Sequence, residues 1–191
     1  MNVADIVKEF GYTTQWLEWG IVDEAYLRAQ YAEYFQSDDK NQEHYRARAF
    51  HDFLSRRVQL TDETVDCIFR LTDEGPDGCD LTTNRIIELI VGGLLTDEQH
   101  FALAGHHPIV RQPPIERCYD RASLLIKIRR TGLAANFSDV QACADSVIHL
   151  NLLEHPELAR EHLEWLASAG ANKSIRNRAQ SMLRSKRFRE L

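Results

Sequence analysis

The side chains of this 191-residue chain that could ligate a metal or move a proton are its histidines, its cysteines and its paired carboxylates. His44 and His51 stand seven residues apart, as do His155 and His162, so each pair shares a face if one helix carries both. Seven residues of helix rise by about 10 Å, too far for two ligands of one metal ion. His106 and His107 precede Pro108 in what reads as a helix end. Solvated or helix-capping histidines are therefore expected, with no metal site, no cofactor and no catalytic residue assigned.

Cysteine spacing agrees. Cys67, Cys79, Cys118 and Cys143 lie 12, 39 and 25 residues apart, without a C-x-x-C pair. They read as small buried or half-buried thiols, Cys79 in its Gly/Asp-rich loop being the one expected to be exposed. That loop, DEGPDGCDLTTN at 73–84, puts Asp73, Asp77 and Gly78 at the first, fifth and sixth places of a calcium loop. It has Gly75 at the third place and Asn84 at the twelfth, where a bidentate Glu is needed, so an acidic turn is expected. Neither G-x-S-x-G nor G-x-x-x-x-G-K-[ST] occurs. The pairs Asp38-Asp39 and Asp62-Glu63 fall at helix starts and loops, where they complement the helix dipole or face water.

Charge is unevenly distributed. Residues 173–191 hold seven Lys and Arg against one Glu, a net +6, while the preceding residues hold 16 against 28, a net −12. Arg184, Lys186, Arg187 and Arg189 are the candidate binding residues, facing something acidic, the acidic body of a second copy included. The acidic body disfavours nucleic acid laid along it; weak docking of RNA or DNA by the basic end is the alternative. No run of eighteen apolar residues occurs, which predicts no membrane span. The start, MNVADIVKEF, carries Asp5, Lys8 and Glu9 and does not read as a secretory leader, so a soluble cytoplasmic protein is expected.

The elements that position these residues read as helices, roughly nine or ten of them. Val65, Ile68 and Phe69 share one helical face, as do Ile115, Cys118, Tyr119, Ala122, Leu125 and Ile126, and again Val140, Cys143, Ala144, Val147 and Ile148. Thr96 with Gln99 and Ser138 with Gln141 fit the capping box that starts a helix. Gly75-Pro76, Gly92-Gly93, Gly105, Gly132 and Gly170 read as stops. With 43% apolar and 27% charged residues, the composition is that of a folded chain.

One pattern recurs, apolar-x-x-Arg-Ala-x-x-x-apolar. It occurs at Tyr45-x-x-Arg48-Ala49-x-x-x-Phe53, at Cys118-x-x-Arg121-Ala122-x-x-x-Ile126 and at Ile175-x-x-Arg178-Ala179-x-x-x-Leu183. A weaker copy is Thr82-x-x-Arg85-Ile86-x-x-x-Ile90, and the copies start 37, 36 and 57 residues apart. The tetrapeptide LTDE, at 60–63 and 95–98, opens two of the intervening segments. A mid-helix Ala admits a neighbouring helix closely, and helix pairs that cannot cover their own apolar face stack on the next pair. The four arginines are expected to be structural, each pairing with an acid or carbonyl of the adjacent repeat.

NKSIRNRAQSML, with Ile175, Arg176, Ala179 and Leu183, resembles the second helix of a HEAT repeat. EHYRARAFHDFL, with Tyr45, Arg46, Ala49 and Phe53, is similar, and LAGHHPIVRQ resembles the inter-helix turn through Pro108, Val110 and Arg111. The resemblance implies an all-α fold, a right-handed α-solenoid of stacked antiparallel pairs over residues 43–191, behind an aromatic-rich helical cap at 1–42. It also implies a non-catalytic scaffold that binds another protein. A minority of the superfamily, including alkyl-base glycosylases and deoxyhypusine hydroxylase, are enzymes, which makes a nucleic-acid enzyme and a metal-dependent enzyme the alternatives. The hydroxylase pattern needs His-Glu dyads, whereas this chain has Glu43-His44, Glu154-His155 and Glu161-His162 in reverse order.

Overall fold

The computed structural model describes residues 2–74, 79–185 and 188, with side chains at those positions other than 72–82. Every regular element among them is helical. In chain order they are α1 (Val3–Glu9), α2 (Gln15–Glu18), α3 (Glu24–Gln36), α4 (Gln42–Ser55), α5 (Asp62–Glu74), α6 (Cys79–Val91) and α7 (Asp97–His106). A short 3-10 turn (Pro108–Arg111) leads to α8 (Ile115–Thr131), α9 (Leu133–Ala142), α10 (Ser146–Leu153), α11 (Arg160–Ala169) and α12 (Lys173–Leu183). The chain is all-α, as expected, with twelve α-helices among the described residues where nine or ten were anticipated. Part of the difference is local: Gly11 and Gly20, at φ 66° and 65°, end α1 and α2 in the left-handed conformation that glycine adopts without Cβ strain. No helix among the described residues is long and apolar enough to cross a membrane.

The chain forms two compact units, residues 1–119 and 120–191, with the boundary inside α8. In the first, Phe10 is fully buried within edge-to-face reach of Tyr31, Tyr34 and Tyr45. Gln30, buried on α3, links this segment to α4. Its Oε1 accepts from Tyr12 Oη (2.7 Å), and its Nε2 donates to the Tyr45 carbonyl (2.8 Å). Arg46 Nη1 donates to the Phe10 carbonyl. The aromatic N-terminal segment and α4 thus share one core, in which every buried polar atom of Gln30 that bonds has a named use.

In the second unit Leu133, Val140, Leu163, Leu166, Ile175 and Ala179 are all but sealed from solvent, and Phe188 joins them. Only three residues separate α11 from α12, and the two pack along each other. Asp145 starts α10 by accepting from the Val147 and Ile148 N–H groups. The start of α9 is supplied from far away. Gly132 has no side chain to cap with, and the Leu133 N–H donates instead to Glu157 Oε2 (2.7 Å). A Cβ on Gly132 would approach that same oxygen to 3.2 Å.

Two local expectations are corrected. Ser138 with Gln141 does not start a helix: both lie inside α9, whose preceding turn already supplies helical hydrogen bonds, and the break falls at Cys143–Asp145, where Asp145 caps α10. The stripe predicted for α8 is also displaced. Ile115 and Tyr119 are buried, but Cys118, Ala122, Leu125 and Ile126 are half-buried, and Leu124 and Ile128 are the core residues farther on. The helix serves two cores in turn, Tyr119 stacking on His100 in the first unit while Leu124 and Ile128 belong to the second.

Candidate functional site

A cavity of about 500 Å³ lies between α5 and α7 in the first unit. Both helices open on the LTDE tetrapeptide. On α5 the hydroxyl of Thr61 accepts from the Thr64 N–H (3.2 Å). On α7 Thr96 and Gln99 form the expected capping box, at 3.1 and 2.9 Å. Gln99 then ties the two starts together, its Nε2 donating to the Leu60 carbonyl (3.0 Å) and to Asp62 Oδ1 (2.6 Å). At the far end the His107 ring stacks on Phe69 with centroids 3.9 Å apart and planes within 6°, its Nε2 3.5 Å from Asp66 Oδ1.

Helical spacing decides what faces the gap. Asp62, Val65 and Asp66 lie at i, i+3 and i+4 on α5, and Glu98, Ala102 and His106 run along α7. Val65 and Leu103 are buried and form an apolar floor; Asp62, Asp66 and Glu98 are exposed on the rim. Three carboxylates and no Lys or Arg line the cleft among the described residues. A smaller cleft of about 260 Å³ is lined by Trp19, Phe53, Glu63 and Cys67, with the Arg70 guanidinium over the Trp19 ring.

The residues singled out in the sequence have other employment. Arg48 makes a fork-to-fork pair with Glu33 of α3, both distances 2.7 Å. Arg121 holds Asp145 at 2.7 and 3.0 Å, and Arg178 reaches Glu154 at 2.9 Å. The Arg85 guanidinium lies over the Trp16 and Phe50 rings. Ala49 and Ala179 are buried, whereas Ala122 is only half-buried. Burial alone pushes the Asp145 carboxyl upward, but the Arg121 guanidinium and two backbone N–H donors outweigh it and hold the group below the usual carboxylate range.

Of the basic end, Arg184 is exposed and closes α12, while Lys186, Arg187 and Arg189 lie outside the described residues. Phe188 is described and 2% exposed; its carbonyl accepts from Arg160 Nη1 (2.6 Å). The loop expected at 73–84 is corrected where it is described: residues 73–74 end α5 and 79–84 open α6, with Cys79 its first residue, while residues 75–78 and the Cys79 side chain lie outside the described residues.

The histidines divide between surface and core. His44 and His51 are exposed on α4 and meet Asp39 (2.9 Å) and Glu88 (2.6 Å). His155 and His162 do not share a helix. His162 is buried, and its Nδ1 accepts the Ala159 N–H that opens α11 (3.0 Å). Buried His149 accepts the Ala171 N–H in the same way (3.0 Å). Burial lowers the basicity of both His100 and His162. Among the described residues no group of three or more His, Cys, Asp or Glu side chains is placed to hold a metal. No family model, curated protein or solved structure matches the chain.

The cleft escaped the sequence reading because its walls come from helices about 35 residues apart. The signal was nevertheless present: LTDE opens both walls, so Asp62 and Glu98 sit within the first turn of helices that open alike.

Proposed function

We propose that the chain is a non-catalytic protein-binding module that takes a basic, partly apolar segment of its partner into the α5–α7 cleft, on a HEAT-like right-handed α-solenoid of stacked antiparallel helix pairs. The repeat architecture is supported by the burial of Ala49 and Ala179, by the close pairing of α11 with α12, and by Arg48, Arg121 and Arg178 each holding a carboxylate of another element or loop. The binding function is carried by one observation, a rim of three carboxylates above an apolar floor. A Lys or Arg side chain lays its methylene stem on Val65 and Leu103 and turns its head to Asp62, Asp66 and Glu98. The volume, about 500 Å³, is in the range of ligand pockets and accepts a few side chains. Exposed carboxylates mainly steer and select, so the contact is a selective one of modest affinity.

Fluorescence anisotropy with a labelled eight-residue peptide alternating Lys or Arg with Leu tests this. Binding to the full chain should weaken by about tenfold or more, a change of about 1.4 kcal/mol, on Asp66→Lys, with the melting curve unchanged. A peptide with Glu in place of the basic residues should not bind. Equal affinity of the variant, or binding of the acidic peptide, rejects the proposal.

A further inference from the structure

We infer that the segment taken into the cleft is the basic C-terminal end of a second copy of this chain, so that the protein self-associates head to tail. This rests on the cleft function proposed above and names its partner. The first support is the distribution of charge over the two units. Residues 1–119 hold 11 Lys and Arg against 21 Asp and Glu, a net −10; residues 120–191 hold 12 against 8, a net +4. The acidic unit of one copy attracts the basic unit of another, whereas two first units repel, so unlike ends are selected.

The second support is Phe188. It is packed into the core of the second unit and lies in sequence among Arg184, Lys186, Arg187 and Arg189. Its carbonyl is held by Arg160. A segment with such a fixed point costs less ordering entropy to bind than a free tail. Arg184, exposed at the end of α12, is the described cation nearest to it in sequence. The contact joins unlike patches. It therefore either closes, as a reciprocal pair or ring, or propagates as a chain of copies.

Sedimentation velocity on the full chain tests this at about 0.01 M and about 1 M salt, where charges are screened beyond about 30 Å and about 3 Å. The unaltered chain should form species larger than a monomer at low salt, growing with concentration, and should be monomeric at high salt. One variant reverses the cleft, Asp66→Lys with Glu98→Lys; the other reverses the end, Arg184→Glu with Arg187→Glu and Arg189→Glu. Each alone should be monomeric at low salt and melt as the parent does. An equimolar mixture again sets opposite charges against each other at both contacts, intact cleft with intact end and reversed cleft with reversed end, and should associate at low salt although neither variant does alone. If Glu98→Lys lowers the melt, Asp66→Lys alone takes its place. Variants that associate like the parent, or a mixture that stays monomeric, overturn the inference. A chain that is monomeric at low salt but still binds the basic peptide overturns the self-association and leaves the cleft function standing. A chain that does neither overturns both.

Discussion

The Arg121–Asp145 pair shows how much one residue carries when its partner has two tasks. Asp145 caps α10 and receives the guanidinium, and both side chains are mostly withdrawn from water. Arg121→Ala leaves the cap but removes the counter-charge, a loss of about 1–2 kcal/mol. At about 2–4 °C per kcal/mol for a chain of this size, differential scanning calorimetry should show the melt several degrees lower. An unchanged melt would reject the structural role of this arginine. Histidines make a separate prediction. Burial holds His100 and His162 below the ordinary histidine range, so the folded chain refuses protons that the unfolded chain accepts below about pH 6.5. Stability is then full above that value and falls as the pH drops through it. Urea midpoints at about pH 7.5 and about pH 5.5 should differ in that sense. The difference should shrink in His162→Gln, which keeps an acceptor for the Ala159 N–H and does not titrate.

Helix starts decided how legible each element was in sequence. Where the cap is local the pattern was plain: Thr96 with Gln99 opens α7 as expected, and Gly170 ends α11. Ser138 with Gln141 matched the same pattern and failed, because a capping box has meaning only where no preceding turn already supplies helical hydrogen bonds. The true start of α9 had no local signature, since its cap is the Glu157 carboxylate, 24 residues on. The displaced face of α8 was hidden for a related reason: one periodicity cannot describe a helix that turns successive residues to two cores. Glu157→Ala should leave α9 with an uncapped first N–H. Amide exchange at Leu133–Phe137 should then quicken by about fivefold to thirtyfold, the equivalent of about 1–2 kcal/mol, while α12 is unaffected. Equal protection in the variant would reject the cap.

For the molecule as a whole, the sequence showed an acidic body and a basic end, and the basic end falls within the second compact unit. The second unit is net +4 only because the +6 of residues 173–191 outweighs the −2 of residues 120–172, so the positive charge stays concentrated in the basic end. All-helical character was readable throughout from periodicity. The cleft was not, because a concave surface belongs to pairs of helices and periodicity describes them singly. The distant cap of α9 has a consequence in time. A ribosome adds about 5–20 residues per second, so Glu157 follows the start of α9 by about one to five seconds. Helices equilibrate within about a microsecond, far faster than that interval. On a chain leaving the ribosome, α9 therefore emerges before the residue that caps it, and its first N–H finds Glu157 only when the segment leading into α11 has followed.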